Sequence, residues 1–301
     1  MFLNSRRNFS SILFSQQKVI DGLSPDLLIS ISMGFHQSAS SHSDLIAKLK
    51  ANNFIHSALL SQVWSELDRA LFVPISIISN RSKEETANRK SSSSSSPEVH
   101  EERKRSWIYE DKPLPVDELG GPIDCSAPHM YAICLEALLP AIRSGALILD
   151  IGSGSGYLTT ILAGLVHQTE KAEKSPSSNN HNNHHGFVIG VELSQRLVTQ
   201  AQSALLRASV ELASRVHFLQ GNFFRWESVR QDIEEVYRQF AHDDTPLQFD
   251  VIHVGAALNQ LPLHLIELLA PGGRLLVPVC KQGSLEQELI LVEKGERLTS
   301  I

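Results

Sequence analysis

The sequence predicts an α/β fold, doubly wound, with a mostly parallel sheet and helices on both faces. A short apolar run over residues 147–151 is typical of a strand that is covered on both faces. A glycine loop over 152–156 and a helical segment over 157–166 follow it directly. Downstream, strand-like runs alternate with helical stretches. Right-handed crossovers between such strands build a parallel sheet, whose ligand lies across the carboxyl ends of the strands.

The glycine loop predicts the kind of ligand. Gly152, Gly154 and Gly156 let the backbone turn sharply and approach a ligand closely, because they carry no Cβ atom. A phosphate-binding loop would continue with Gly-Lys-Ser/Thr, but Tyr157 and Leu158 follow the last glycine. The glycines are spaced G-x-G-x-G rather than the G-x-G-x-x-G of dinucleotide-binding loops. The loop therefore favours a nucleoside ligand without a pyrophosphate over NAD.

An acidic residue at the end of the second strand would bind the ribose hydroxyls of such a ligand. The strand predicted over 187–191 ends at Glu192, which lies 36 positions beyond Gly156. The usual spacing is about 20. Residues 168–186 form a polar stretch of 19 residues, and without it the spacing becomes 17. We therefore interpret 168–186 as an insertion and Glu192 as the ribose ligand.

The remaining elements follow from the spacing of apolar residues. Apolar positions three or four apart predict helices, and short apolar runs between turn residues predict strands. The predicted helices are 43–50, 57–71, 130–142, 195–212, 227–240 and 263–269, and the predicted strands after the first are 187–191, 216–219, 249–254, 274–279 and 286–293.

Composition places the chain among ordinary globular proteins, with 42% hydrophobic and 20% charged residues in 301. The net charge of −6 argues against a broad nucleic-acid-binding surface. Cys125, Cys134 and Cys280 have neither close pairing nor metal-ligand spacing, which favours a reduced intracellular protein without a metal. No run approaches the roughly 20 apolar residues of a membrane span. We expect a monomer with no nucleic-acid or membrane partner.

The chain divides into an N-terminal extension and one domain. Residues 1–32 contain arginines and serines and no acidic residue before position 21, a composition typical of an organelle transit peptide. An inert tail, or a start at Met33, is the alternative. The domain spans 33–301, with polar insertions at 80–106 and 168–186 that we expect to be disordered. If the extension is a true transit peptide, the expected location is mitochondrial.

Several segments of the sequence, taken together and in their order, are typical of one family. They are Ser41-His-Ser-Asp-Leu-Ile, Asp68-Arg-Ala-Leu-Phe-Val-Pro, Tyr109-Glu-Asp-Lys-Pro-Leu-Pro, Ser126-Ala-Pro-His-Met130, Leu149-Asp-Ile-Gly-Ser-Gly-Ser-Gly-Tyr-Leu-Thr, Asp250-Val-Ile-His-Val-Gly-Ala-Ala and Pro271-Gly-Gly-Arg-Leu-Leu-Val-Pro-Val. With these segments the chain resembles the protein-L-isoaspartate (D-aspartate) O-methyltransferase family, whose members methylate damaged aspartyl residues with S-adenosylmethionine. The similarity extends from about Met33 to Glu293, and Ser126-Ala-Pro-His-Met130 is its most specific part. It implies the Rossmann-like fold of class I S-adenosylmethionine-dependent methyltransferases and, as the family default, a cytoplasmic location.

The resemblance also implies which residues form the site and what binds there. The substrates would be peptides and proteins that contain isoaspartyl residues, and the co-substrate would be S-adenosyl-L-methionine, without a metal. Ser126 would lie at the reacting carboxylate, Ser155 at the methionine part of the donor, Glu192 at its ribose, and Asn222 with Phe223 at its adenine. The full implied donor site is Ile123, Asp124, Cys125, Ser126, Asp150, Gly152, Gly154, Ser155, Gly156, Glu192, Asn222 and Phe223.

The sequence departs from the family pattern in front of Ser126. Asp124 stands where a threonine is expected, and a second carboxylate there would repel an anionic substrate or would be forced to protonate. Asn222 replaces an expected aspartate, but its amide oxygen can still accept from the adenine amino group. The family chain continues past the sixth strand into a segment that covers the site, whereas this sequence stops at Ile301. The alternative function is therefore a donor-binding or adaptor protein with low or no activity.

Single residues of the site also have purely structural interpretations. Ser126 precedes a helix with Pro128 in its first turn, so it is a candidate N-cap. His129 and His253 are candidates for packed or hydrogen-bonded core histidines. A nicotinamide-dependent oxidoreductase is the third hypothesis, which the glycine spacing disfavours.

Overall fold

The structure is a computed structural model. It describes residues 38–74, 76–78, 106–115, 124–173, 185–240, 246–280 and 287–295, and the backbone of 17–19. The side chains of Pro115 and Asp124 are outside this description. Most of the predicted extension, 1–32, and most of the two predicted insertions therefore lie outside the described residues.

The described strands form a seven-stranded, mostly parallel sheet and a separate two-stranded ribbon. The large sheet has the order β1-β9-β8-β7-β4-β5-β6, in which β4 to β8 are parallel and the edge strands β9 and β1 are antiparallel. This confirms the predicted fold class. The strands are β1 Gln17–Val19, β2 Leu114–Pro115, β3 Asp124–Cys125, β4 Leu147–Ile151, β5 Phe187–Glu192, β6 Val216–Gln220, β7 Phe249–Val254, β8 Leu269–Cys280 and β9 Gln287–Glu293.

Helices cover both faces of the large sheet, because its central strands are apolar on both sides. The first six helices pack into one core cluster, and α7 and α8 pack into a second cluster on the opposite face. The helix predicted over 227–240 is rich in charged residues, which favours a position outside the core, but its apolar stripe is buried against the sheet. The helices are α1 His42–Ala51, α2 Ala58–Ser65, α3 Pro128–Leu138, α4 Tyr157–Glu173, α5 Gln195–Ala208, α6 Val210–Ala213, α7 Trp226–Phe240 and α8 Leu263–Glu267.

Helix α4 continues into the stretch that the sequence assigns to an insertion. The prediction ends it at residue 166, whereas the structure extends it to Glu173. The reason is the buried Glu170, whose carboxylate accepts from the N–H of Gly186 at 2.7 Å and pairs with Arg215 at 2.8 Å. Gly186 is the last residue of the polar stretch and Arg215 lies beyond it, so the local pattern does not show either contact. The stretch outside the described residues is therefore 174–184.

Other boundaries differ for local reasons, and three of them are explained by side-chain caps or by strand register. The helix predicted over 57–71 ends at Ser65, and Asp68 then caps a short 3₁₀ helix by accepting from the N–H of Ala70. The helix predicted over 195–212 breaks at Ser209, whose hydroxyl accepts from the N–H of Leu212. Strand β8 begins at Leu269 rather than at 274, because a register shift lets Phe249 pair with Leu269.

Within the part of the chain that the structure describes, no helix combines the length and the apolar composition that a membrane span requires.

Candidate active site

A cavity of about 1100 Å³ opens at the carboxyl ends of β4, β5 and β7. At this edge β4 pairs with β5 on one side and with β7 on the other, so the order of the strands reverses there. Ligands of doubly wound sheets bind at such a reversal. The wall combines the glycine loop, the end of β5, the turn after β6 and residues 254–265, which follow β7.

The glycine loop adopts the left-handed backbone conformation that its sequence predicts. Gly152, Gly154 and Gly156 have φ values of 77°, 54° and 80°. The N–H of Gly152 donates to the carbonyl of Val191 at 2.8 Å, which ties the loop to the end of β5. A Cβ atom on Gly156 would lie 2.7 Å from the ring of Phe218, so this position has no room for a side chain. The loop is thus fixed by its neighbours and open toward the cavity.

Glu192 closes the loop from the opposite side. Its Oε2 accepts from the N–H of Gly154 and its Oε1 from the N–H of Ser194, each at 3.0 Å. The residue is buried but lines the cavity. A carboxylate offers about four acceptor positions, so two remain for the hydroxyls of a ligand. This is the arrangement that a ribose diol requires at the end of the second strand.

Aromatic rings form the cavity wall beside the turn after β6. Phe223 is buried and stacks on His264 with ring centroids 5.9 Å apart and an interplanar angle of 22°. Trp226 packs against Phe223 at 5.2 Å. Burial lowers the pKa of His264, so its ring is neutral at physiological pH. Asn222 accepts from the N–H of Phe224 and lines the same wall. Phe223 thus gives this part of the wall an apolar surface, as the face of a purine requires.

Asp150 does not face the cavity but anchors the strand beneath the loop. Its Oδ2 accepts from the hydroxyl of Thr159 at 2.6 Å, and its Oδ1 accepts from Nδ1 of His253 at 2.8 Å. Burial alone would lower the pKa of His253, but hydrogen bonds to Asp150 and Cys134 outweigh it and raise the pKa to about 10. His253 is therefore a hydrogen-bonded core histidine in its charged form, which confirms the structural interpretation of this residue.

This pair predicts a pH dependence of stability. Because the pKa of His253 is raised from 6.5 to about 10 on folding, its contribution is complete below pH 6.5 and is lost as the pH rises toward 10. His253→Asn is expected to cost roughly 3–5 kcal/mol at pH 6, the usual cost of breaking a buried pair. The difference from the wild type should shrink by pH 10 in urea unfolding curves. The exposed His56→Asn serves as control, and a difference that stays constant over this range would contradict the assignment.

The predicted acceptor residue, Ser126, is exposed and lies between the β2–β3 ribbon and α3. It does not cap this helix: the N-cap is Ala127, without a side-chain hydrogen bond. Instead, the buried Asp111 accepts from the N–H of His129 at 2.9 Å and from its Nδ1 at 2.8 Å. The N-cap interpretation of Ser126 is therefore wrong, and the hydroxyl remains available.

The structure brings part of the predicted donor site together at the cavity. The residues of the prediction that line it are Gly152, Gly154, Glu192, Asn222 and Phe223.

Five other predicted positions are among the described residues but do not line this cavity. Asp150 and Ser155 are buried, and Gly156 packs on Phe218. Cys125 and Ser126 lie directly before α3, in residues 125–127, which we call the acceptor segment. Ile123 and the side chain of Asp124 are outside the described residues. Their contacts with a donor stay predictions.

Sequence reasoning missed most of the wall after β7. Of this wall, the sequence indicates only Val254 to Ala257, as the end of a segment that resembles the family. The wall continues through Asn259 and Gln260 to His264. The signal was their position directly after the strand next to β4, where loops of this fold reach the ligand. Among the described residues, no three His, Cys, Asp or Glu side chains are grouped to hold a metal ion.

Comparisons with known proteins agree with this geometry. A family model described as protein-L-isoaspartate(D-aspartate) O-methyltransferase matches residues 98–300. A protein-L-isoaspartate O-methyltransferase of Korarchaeum cryptofilum is 32% identical over 253 residues, which cover 84% of this chain and 88% of the relative. Protein-L-isoaspartate O-methyltransferase 2 of Arabidopsis thaliana is 29% identical over 84% of this chain, and the match spans 61% of its own length.

A solved structure shows the same fold. It is that of a protein from Plasmodium falciparum described as a protein-L-isoaspartate O-methyltransferase in complex with S-adenosyl-L-homocysteine. This structure superposes with a TM-score of 0.59 at 23% identity, over 85% of this chain and 90% of that one. The family model covers more than half of the chain, and the archaeal relative is matched over most of its length. The chain therefore belongs to the protein-L-isoaspartate(D-aspartate) O-methyltransferase family.

Proposed function

We propose that this protein transfers a methyl group from S-adenosylmethionine to the free carboxylate of L-isoaspartyl and D-aspartyl residues in damaged peptides and proteins, which starts their repair. The observation that carries the proposal is the position of Glu192. Its carboxylate joins the loop residue Gly154 to the end of β5 and still faces the cavity. In a chain of this family, such a site is suited to the nucleoside part of the donor.

The described residues fit this donor in three places. The two free acceptor positions of Glu192 match the ribose hydroxyls. The Phe223 ring provides an apolar face for the adenine, and the Asn222 amide lies beside it. Gly152 and Gly154 let the donor approach the backbone without Cβ atoms in the way. When bound, the donor supplies a methyl group on a positively charged sulfur, which is an activated electrophile.

Methyl transfer to the substrate carboxylate requires little chemical activation by the protein. A carboxylate with a pKa near 4 is already ionised at neutral pH, so the reaction needs no strong general base. Displacement requires the carboxylate oxygen, the methyl carbon and the sulfur to be nearly collinear, so most of the acceleration comes from positioning and from excluding water. The exposed hydroxyl of Ser126 can hold the carboxylate by a hydrogen bond without consuming its charge.

Methyl transfer from a labelled donor to an isoaspartyl peptide tests the proposal. The expected product is a methyl ester, so the label should be released as methanol in mild base. Binding of S-adenosylhomocysteine without transfer would favour the donor-binding or adaptor alternative. In that case Asp124→Thr, which restores the residue typical of the family, tests whether Asp124 prevents the methyl transfer. Label that resists base would show a different acceptor chemistry.

A further inference from the structure

Two side chains hold the backbone of Ser126, one from 57 positions earlier in the chain and one from the following helix. Its carbonyl accepts from Nη2 of Arg69 at 2.9 Å, and its N–H donates to the hydroxyl of Tyr131 at 3.2 Å. The side chain of Ser126, by contrast, is exposed. A residue whose two peptide groups are fixed in this way presents its side chain in a limited set of directions.

Arg69 is fully buried and joins three segments of the chain. Its Nη1 donates to the carbonyls of Ile108 and Glu110 at 3.1 Å, and its Nη2 donates to those of Lys112 and Ser126 at 3.0 and 2.9 Å. A guanidinium stays charged in a protein, so burying it is costly unless its donors are satisfied. Four carbonyls on one rigid fork satisfy four of its five N–H donors, and the fifth donor, Nε, is buried without a partner among the described residues. These bonds lock the acceptor segment to residues 108–112.

Tyr131 connects the acceptor segment to the glycine loop. Its hydroxyl lies 3.3 Å from Sγ of Cys125 and accepts from the N–H of Ser126. Its ring packs edge-on against Tyr157, with centroids 5.9 Å apart. Tyr157 is the first residue of α4, directly after Gly156. Burial and the neighbouring Cys125 raise the pKa of Tyr131 well above its ordinary value, so the hydroxyl stays protonated.

We propose that Tyr131 and Arg69 are positioning residues that set the direction and distance of the Ser126 hydroxyl relative to the glycine loop. The inference rests on the proposed methyl transfer with Ser126 at the acceptor carboxylate. Neither residue needs to touch the reactants, because both act through the backbone of Ser126. A displacement of about 1 Å in a reaction that depends on alignment costs on the order of 100-fold in rate, so two hydrogen bonds to this backbone are enough to matter.

Tyr131→Phe tests the inference because it removes only the hydroxyl. We expect kcat for an isoaspartyl peptide to fall about tenfold, a partial misalignment on the scale above, while the KM for S-adenosylmethionine changes less than twofold. If the effect passes through Ser126, adding Tyr131→Phe to Ser126→Ala should lower kcat by less than a further twofold, since groups that act as a unit are not additive. Equal falls in both backgrounds would overturn the proposal.

Tyr237→Phe is the matched control. Tyr237 is buried and donates one hydrogen bond to the carbonyl of Pro246, on the opposite face of the sheet. It should leave kcat within twofold of the wild type even where it lowers stability. Arg69→Lys keeps the charge but loses the fork, and should lower kcat at least as much as Tyr131→Phe. If this variant does not fold, the Tyr131 and Ser126 pair decides.

Hydrogen exchange at the Ser126 amide provides a readout that does not depend on activity. The amide should be protected in the wild type and in Tyr237→Phe, and it should exchange at least tenfold faster in Tyr131→Phe. Unchanged protection would refute the hydrogen bond that the proposal needs. If the wild type methylates no isoaspartyl peptide, the proposed function fails, whereas the exchange result still decides whether Tyr131 holds Ser126.

Discussion

Replacement of Glu192 by alanine is expected to weaken the binding of S-adenosylhomocysteine by about 100-fold. Hydrogen bonds to a charged group contribute roughly 1.5–3 kcal/mol each. Two bonds to the ribose hydroxyls at the low end of this range correspond to about 3 kcal/mol, or two factors of ten in affinity. The variant also leaves the N–H groups of Gly154 and Ser194 without their acceptor. Isothermal titration calorimetry measures the change directly.

Two further variants separate the ribose contact from a general effect of charge. Glu192→Gln keeps one oxygen and should lose about tenfold in affinity, because one of the two charge-assisted bonds is lost. Glu235→Ala removes an exposed carboxylate on α7 and should leave the affinity unchanged. A dissociation constant of Glu192→Ala within threefold of the wild type would refute the role of Glu192 in donor binding.

Gly156→Ala is expected to destabilise the fold by roughly 2–5 kcal/mol. A side chain at a φ of 80° costs about 1–2 kcal/mol. Overpacking adds about 1–3 kcal/mol, because the new Cβ would lie 2.7 Å from Phe218 and 2.8 Å from Ala201. Urea unfolding of the purified variant gives the change in the free energy of unfolding, and affinity for the donor should fall with it.

Gly272→Ala is the matched control for this variant. Gly272 has a similar φ of 75°, but a Cβ atom there meets nothing within 4 Å. Only the backbone strain should remain, about 1–2 kcal/mol. If the two variants are equally destabilised, the contact with Phe218 and Ala201 relaxes without cost, and the tight packing of the loop against β6 and α5 is not what fixes it.

The donor half of the site was predictable because its residues lie on regular elements. The end of β4, the glycine loop and the end of β5 follow from apolar runs and glycine spacing, and the ladder from Leu147 to Ile151 against 187–191 has the expected parallel register. Glu192 was found because an acid at this strand end has a simple chemical role. Such local rules apply wherever sequence neighbours are also spatial neighbours.

The acceptor half was less predictable because its contacts join residues far apart in the chain. The bond from Arg69 to Ser126 spans 57 positions, and that from His129 to Asp111 spans 18. The sequence alone gave Ser126 as an N-cap candidate, since nothing local indicates that Asp111 takes this role. Helix α4 extends for the same kind of reason, through contacts of Glu170 with Gly186 and Arg215. Tertiary hydrogen bonds override local patterns at these places.

The central claim is that the protein recognises damaged rather than normal aspartyl residues. Two peptides of identical sequence, one with an L-isoaspartyl and one with a normal aspartyl residue, test it most directly in the same assay with labelled S-adenosylmethionine. We expect base-labile methyl incorporation into the isoaspartyl peptide and none above background into its twin. Equal incorporation into both peptides, or none into either although S-adenosylhomocysteine binds, would contradict it.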